Sequence, residues 1–479
     1  MKVKDLFEEV NRAAESFGMK KKENETSKGN AVVRMNIGDG AFEAGKEKAY
    51  FGYISSEESL SGPYADLSLV VFPQKDDGAC VVALAVGSSG FSNDYPLAQL
   101  PGLRRSFLRL MSEDGKSFCK TSFTDITSSC QSLPKINDVT DPYINLRSQI
   151  KEYQNVILAS RILNPDDTED MKILKGWLAT YAYYRDWASS KDQVEAISQA
   201  ITDCIEPPKT DELEEICHLL DYRHFVVLQG APGTGKTYNA MRCAEKMEFN
   251  KTFFEQFHAE TTYADFVYGI KPKLEAENLS YEPNKGILYQ AIKHAMDNPS
   301  DKVLLIIDEI NRANLANVLG PVFYLFEYQA SESDRKNTTV KIGDLKINQL
   351  PLNLRVIATM NTADRSLAVV DFALRRRFAW YTLVPHKIVV PSGYMFHETT
   401  FNDVSRLFDK YATDEELNLQ PGPSYFITKE KDYDNEFKKR VIYELMPLMK
   451  EYFTEGLMVK ARDEFSKLFF DLVKKQLYL

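Results

Sequence analysis

Four stretches of this chain combine residue types that handle phosphate, metal and water. Gly230-Ala231-Pro232-Gly233-Thr234-Gly235-Lys236-Thr237 fits the pattern GxxxxGK[ST], and Tyr238 follows it directly. Glycines at those positions let backbone N–H groups close around a phosphate. The lysine reaches the β- and γ-phosphates, and the threonine hydroxyl can ligate Mg²⁺. A second stretch, Val303-Leu304-Leu305-Ile306-Ile307, ends in Asp308-Glu309. The first carboxylate suits a hydrated Mg²⁺, the second an attacking water that must be oriented or deprotonated. Asn361 ends the run Leu354 to Met360 and offers an amide to a terminal phosphate or to that water. Arg375, Arg376 and Arg377 form a basic cluster. An arginine projecting into a neighbouring subunit's nucleotide would stabilise charge in the transition state.

These groups need rigid elements behind them, and the surrounding sequence supplies them. His224 to Gln229 is a buried-strand pattern that runs straight into the glycine loop, and a helical segment from Tyr238 to Met247 follows. Strand, glycine-rich loop and helix is the context a phosphate loop requires. Asp308 follows Lys236 by 72 residues, room for a helix, a strand and a hairpin between them. Acids at the carboxyl end of an apolar strand sit where open α/β sheets bind ligands. Apolar strands alternating with longer helical segments predict a parallel α/β sheet over 205–385. Pro207-Pro208 marks its start. From 386 to 479 the chain turns helical again.

The amino-terminal part differs in character. Residues 1–135 mix an amphipathic opening helix with short β-rich runs and Gly/Ser/Asp turns, an α+β pattern. Tyr64 to Phe72, a polar turn at Lys75-Asp76-Asp77-Gly78, and Cys80 to Val86 read as a hairpin. Ser132 to Asp138 reads as a boundary. Helical spacing in Tyr143–Ile150 and Val194–Ile201 predicts a helical connector over 141–204.

Composition narrows the function classes. The 479 residues are 44% hydrophobic and 27% charged, which excludes wholesale disorder. No apolar run approaches the roughly 18 residues of a membrane span, and the first residues lack the apolar centre of a signal peptide. A cytoplasmic protein is expected. Cys80, Cys119, Cys130, Cys204, Cys217 and Cys243 form no CxxC pair and read as reduced thiols. With 59 basic and 69 acidic side chains the chain carries −10, so nucleic-acid contact requires a local basic patch or assembly of several subunits.

Taken together, the motifs resemble those of AAA+ NTPases, and more closely those of the McrB family. Asp308-Glu309-Ile310-Asn311-Arg312-Ala313-Asn314 and Met360-Asn361-Thr362-Ala363-Asp364-Arg365-Ser366 carry the resemblance. Gln256-Phe257-His258 and Tyr263 to Pro272 are similar to its segment after the first helix, and Gly422-Pro423-Ser424-Tyr425-Phe426 and Val441 to Leu448 to its helical lid, which the resemblance places at 386–479. The likeness covers about residues 205 to 455. It implies the GTP-driven motor subunit of a modification-dependent restriction system, forming hexameric rings with nucleotide at subunit interfaces. It places Asn361 as the sensor, Asp364 and Arg365 in the family's signature loop, and the trans-acting finger at Arg375 or Arg376 in preference to Arg377. Guanine is implied by the resemblance alone, since Asn284-Lys285-Gly286-Ile287 is no NKxD motif, and ATP stays open as the substrate. Pro423 stands where the family's lid motif has a histidine.

The resemblance also implies a separate McrC-like nuclease subunit, with DNA as a partner and no membrane. Asp66 on one strand and a hairpin to Val81–Val86 have the layout of a PD-(D/E)xK core. Val82 to Gly87, however, is apolar where the second acid and lysine should stand, so no intrinsic nuclease is expected. The family's variable amino-terminal domain recognises DNA, often through an extracted base. Phe91, Tyr95 and Arg104-Arg105 are candidates for such a pocket, although aromatics beside strands are more often core. Two rivals remain: a MoxR-like ATP-dependent protein-remodelling ATPase, and a nucleotide-bound scaffold without turnover.

Overall fold

Runs of uninterrupted apolar residues are stable as strands only when both faces are covered, and two parts of this chain meet that condition separately. The computed structural model describes residues 1–42, 48–75, 79–112, 115–128, 153–204, 211–275, 278–326, 339–363, 372–429 and 433–478. They fall into two compact units, Met1–Lys209 and Thr210–Leu479.

The first unit is built on β1 (Ala31–Asn36), β2 (Tyr50–Ser55), β3 (Leu67–Pro73), β4 (Cys80–Val86), β5 (Ser117–Cys119) and β6 (Ile157–Leu163), in the antiparallel order β1-β2-β3-β4-β6-β5. Every residue of β3 and β4 is buried, and their register runs from Leu67 opposite Val86 to Pro73 opposite Cys80. This is the expected hairpin, although its turn at 76–78 lies outside the described residues. The opening helix is present as Val3–Ser16, with Leu6, Val10 and Ala14 on its buried face.

The expected helical connector over 141–204 is corrected by the structure. Its described part begins with β6, which lies between β4 and β5, and continues into helices Thr168–Tyr184 and Lys191–Thr202 of the same unit. Tyr143–Ile150 and the boundaries expected at Ser132–Asp138 and Pro207-Pro208 lie outside the described residues. β6 escapes a periodicity reading because Ile157-Leu158-Ala159-Ser160-Arg161-Ile162-Leu163 lies between two stretches of helical spacing. Its pairing partners are distant in sequence, and local periodicity does not report such partners.

The second unit holds β7 (Phe225–Gly230), β8 (Lys251–Gln256), a hairpin of β9 (Tyr268–Glu275) and β10 (Asn278–Lys285), β11 (Val303–Asp308), a small hairpin of β12 (Val340–Ile342) and β13 (Leu345–Ile347), then β14 (Leu354–Asn361) and β15 (Ala379–Leu383). Five of these form a wholly parallel sheet in the order β15-β7-β14-β11-β8. Strand alternation explains their composition. Val227, Leu305, Ile307, Val356 and Ala358 bury one face beneath Phe326, Phe378 and Ile292, while Val226, Leu228, Leu304, Ile306 and Ile357 bury the other beneath Ile216, Leu220 and Ala240. The lid segment has its own core around Phe401, Phe408, Phe426, Met449 and Phe465.

Candidate functional site

The sheet order decides what can meet. β14 lies between β7 and β11, so the residues ending those three strands stand side by side at one edge: Gly230, Asn361 and Asp308. Asn361 is in register with Gly230, and Ile307 with Ala358.

The loop leaving β7 turns sharply because Gly233 takes a φ of +78° and Gly235 one of +86°. Both values favour glycine. Gly235 caps helix Lys236–Lys246, whose N-terminal N–H groups and dipole favour an anion. Inside the loop the Thr234 hydroxyl donates to the Ala231 carbonyl at 2.9 Å. The Lys236 ammonium is folded back, donating to the carbonyls of Gly230 at 3.0 Å and Ala231 at 2.8 Å. Tyr238 is exposed, and its hydroxyl accepts from Arg242 at 3.0 Å.

Thr237 and the first acid meet directly. The Thr237 hydroxyl donates to Asp308 Oδ1 at 2.7 Å, and Thr359 Oγ1 donates to the same oxygen, also at 2.7 Å. Asp308 is buried. A hydroxyl beside a buried carboxylate is a hard-oxygen donor pair, the kind Mg²⁺ takes when substrate phosphates and waters complete its shell. The donor set therefore fits that ion at Thr237 and Asp308. Among the described residues no three His, Cys, Asp or Glu side chains converge to hold a metal.

Glu309 adopts a left-handed φ of +55°, and its backbone N–H donates to Thr359 Oγ1 at 3.1 Å. Its carboxylate stands 3.4 Å from the Arg312 guanidinium. Asn311, buried in the short turn that follows, donates through Nδ2 to the Asn361 carbonyl at 3.3 Å. The Asn361 side-chain oxygen accepts from the Ala363 N–H at 3.2 Å. The motif residues Asp308, Glu309, Asn311 and Asn361 thus belong to one patch at the sheet edge, with Thr359 bonded to the Asp308 carboxylate and to the main chain of Glu309.

The lid reaches this patch by backbone. Gly422 N–H donates to the Pro232 carbonyl at 2.9 Å, and Ser424 N–H to the Gly233 carbonyl at 3.2 Å. Arg440 supports the strap by donating to the Ser424 carbonyl at 3.1 Å, and the Thr362 hydroxyl donates to the Asn418 carbonyl at 2.7 Å. Pro423 is buried at the start of a short 3-10 turn, Pro423–Phe426. The departure from the histidine of the family motif leaves these two contacts in place, because they are made by the main chain of its neighbours.

The arginines separate by environment. Arg375 and Arg376 are exposed, with the Arg375 guanidinium 5.0 Å from the Trp380 ring centre, whereas Arg377 is half-buried, 4.4 Å over Phe323. Asp364 and Arg365 lie outside the described residues. Sequence reading misses Thr359 and the Gly422–Ser424 strap. The first is findable, since Thr359 stands two residues before Asn361 and shares its strand face. For the second, the sequence marks the segment Gly422–Phe426 and offers its glycine as a place of close approach, but not the loop it touches.

In the first unit Asp66 is an internal brace rather than a ligand. It is buried at φ +67°, and its carboxylate accepts the backbone N–H groups of Ser92, Asn93 and Asp94 at 2.7 to 2.9 Å. Phe91 and Tyr95 meet edge to face at 5.6 Å with Tyr95 exposed, and Arg104 donates to the Lys120 carbonyl at 2.8 Å.

The chain is similar to known proteins over part of its length. Residues 225–378 match the AAA domain family (dynein-related subfamily). The chain is 33% identical over 285 residues to the Type IV methyl-directed restriction enzyme EcoKMcrB subunit of Escherichia coli (strain K12), covering 55% of this chain and 61% of that protein. It is 28% identical over 274 residues to the Type II restriction enzyme BsuMI component YdiS of Bacillus subtilis (strain 168), covering 46% of this chain and 77% of that one. A solved RuvB variant of Thermotoga maritima overlaps 41% of this chain and 48% of its own, with 17% identity and a TM-score of 0.22. The chain thus spans about three fifths of the length of its Escherichia coli relative. Residues 225–378 thus carry an AAA domain, and the chain is similar over about half its length to subunits of two restriction systems.

Proposed function

We propose that this chain is the nucleoside-triphosphate-hydrolysing motor and DNA-recognition subunit of a cytoplasmic McrBC-like restriction complex in antiphage defence. It hydrolyses GTP in preference to ATP and leaves cleavage to a separate McrC-like nuclease subunit. The observation that carries the reading is the convergence of Lys236, Thr237, Asp308, Glu309 and Asn361 at the ends of three adjacent parallel strands.

In this reading the phosphates lie on the glycine loop and the N-terminus of helix Lys236–Lys246. The Lys236 ammonium exchanges the Gly230 and Ala231 carbonyls for the β- and γ-phosphate oxygens. Thr237 and Asp308 hold the Mg²⁺, which when bound neutralises charge on those oxygens. Glu309 orients the attacking water and takes its proton, and Asn361 steadies that water or the γ-phosphate. Asp364 and Arg365 complete the signature loop. Arg375 or Arg376 serves a neighbouring subunit's nucleotide in a hexameric ring, which their exposure supports, while Arg377 is engaged on Phe323. The first unit senses the target.

The test is hydrolysis of GTP and ATP side by side by the purified chain, each with and without DNA, and with the nuclease subunit added. Faster turnover of GTP than ATP is the expected result. ATP turnover indifferent to DNA would overturn the restriction reading in favour of protein remodelling.

A further inference from the structure

Within β14 the residues Val356, Ile357, Ala358 and Met360 are apolar and buried, as a central strand requires. Thr359 breaks that run with a side chain that is 1% exposed. Valine has nearly the same shape and would pack equally well, so packing alone gives no reason for the oxygen. Its bonds supply one. A hydroxyl has one proton to give and lone pairs to receive. Thr359 spends the proton on Asp308 Oδ1 at 2.7 Å and receives the backbone N–H of Glu309 at 3.1 Å. The two bonds fix the rotation of this side chain, and through it both acids of the motif.

We propose that Thr359 is a positioning residue for the hydrolytic step, holding the Asp308 carboxylate in register with Thr237 and clamping the main chain of Glu309. This rests on the reading above, in which Asp308 serves the metal and Glu309 the water. Two features of the site make the clamp consequential. Asp308 Oδ1 accepts from Thr237 as well, at 2.7 Å, so the two hydroxyls together set the orientation of the carboxylate while the Thr237 lone pairs remain for a cation. Glu309 holds a left-handed φ of +55°, which a non-glycine residue keeps only where its surroundings enforce it. The N–H bond to Thr359 is a direct restraint on that conformation. Released from it, Glu309 would relax toward an ordinary backbone geometry and swing its carboxylate away from its set position.

The experiment uses the full chain with GTP and ATP as probes. Nucleotide affinity is measured with and without Mg²⁺ using fluorescent analogues, and turnover is measured with the nuclease subunit present. Thr359→Val removes the hydroxyl at constant shape. It is expected to lower kcat at least tenfold and raise the Mg²⁺ concentration needed for half-maximal turnover severalfold. KM, and affinity measured without Mg²⁺, should stay within about twofold. Thr359→Ser restores the hydroxyl and should recover kcat to within about threefold of wild type. Should the valine variant melt early, Thr359→Ala against Thr359→Ser makes the same comparison.

A valine or alanine variant with wild-type kcat and Mg²⁺ dependence overturns the proposal while leaving the hydrolase reading intact. So does a serine variant as impaired as valine, since packing would then be the cause. A wild-type chain that binds neither nucleotide, or whose affinity ignores Mg²⁺, overturns the hydrolase reading itself and this inference with it.

Discussion

The strap between lid and phosphate loop leads to a sharp prediction at Gly422. A Cβ placed there would stand 2.1 Å from the Gly233 carbonyl carbon and 2.3 Å from both the Gly233 oxygen and the Thr234 nitrogen. All three are backbone atoms of the loop that would cradle phosphate, so no side chain can rotate to make room. Ordinary contact begins near 3.4 Å, so Gly422→Ala must drive the strap back by more than an ångström. At that separation the bonds from Gly422 N–H to Pro232 and from Ser424 N–H to Gly233 are both lost. Each is worth about 1 kcal/mol net, and about 2 kcal/mol is roughly a 30-fold change in an equilibrium. Titration with a fluorescent nucleotide should therefore show affinity weakened roughly 10- to 30-fold. The same bonds belong to the folded state, so the melting temperature should also fall, but only by about 4–8 °C, because the lid core around Phe401, Phe426 and Phe465 is untouched. Gly38→Ala, where an added Cβ meets nothing within 4 Å, is the matched control. Affinity within twofold of wild type would refute the coupling of strap to loop.

Glu309→Gln keeps the shape of the site and removes the proposed base, so nucleotide binding should persist while turnover falls by about 10²- to 10⁴-fold; undiminished turnover would reassign the residue that activates water. Asp66→Ala strips the acceptor from three backbone N–H groups in 92–94. It should destabilise the first unit by roughly 3 kcal/mol or more, read in chemical denaturation. An unchanged midpoint would remove Asp66 as the brace of that loop. His397 stacks on Phe437 at 3.7 Å and bonds Thr428 Oγ1 at 2.9 Å; burial lowers its pKa, partly opposed by Asp434 and Glu436. The fold thus disfavours the charged ring, and on acidification through the ordinary histidine value of about 6.5 the unfolded chain takes up more protons. Stability should be level above pH ~7 and fall on acidification through about 6.5, and His397→Gln should reduce the difference in melting temperature between pH ~7.5 and ~5.5. An identical difference in the variant would place the acid sensitivity elsewhere.

The second unit is legible in the sequence because its strands are buried on both faces and so read as continuous apolar runs. β7, β11 and β14 each also end in a residue of distinctive chemistry. What the sequence does not state is their lateral order, since pairing between parallel strands leaves no local trace. Yet that order is what brings Asn361 between the glycine loop and Asp308. The first unit reads less well. The hairpin of β3 and β4 is local and visible, whereas β6 pairs with β4 across more than seventy residues and looks like part of a connector. Asp66 shows a different limit. An acid within a strand-like run has the same signature whether it binds a metal or accepts backbone N–H groups; the structure starts β3 one residue later, and only the loop at 92–94 decides between the two roles.

Within the site, the division of labour follows from which groups are anchored to the sheet. Thr359, Asp308 and Asn361 sit on strands whose flanking residues are buried, so their positions are set by the core. Gly422 and Ser424 belong to a segment whose own core is separate, and they touch the phosphate loop through two backbone bonds. A rigid floor under a strap held by so few bonds is suited to a cycle in which the chemical groups stay fixed while the cover changes with the nucleotide. Opening such a cover breaks those two bonds and the one from Thr362 to the Asn418 carbonyl, about 1 kcal/mol net each, a sum of the order that a difference in affinity between two nucleotide states supplies. Arg440, which donates to the Ser424 carbonyl and stands 3.4 Å from Glu444, links the strap to the lid helix behind it. Movement of that helix would therefore be felt first at Gly233, the loop glycine that the strap touches.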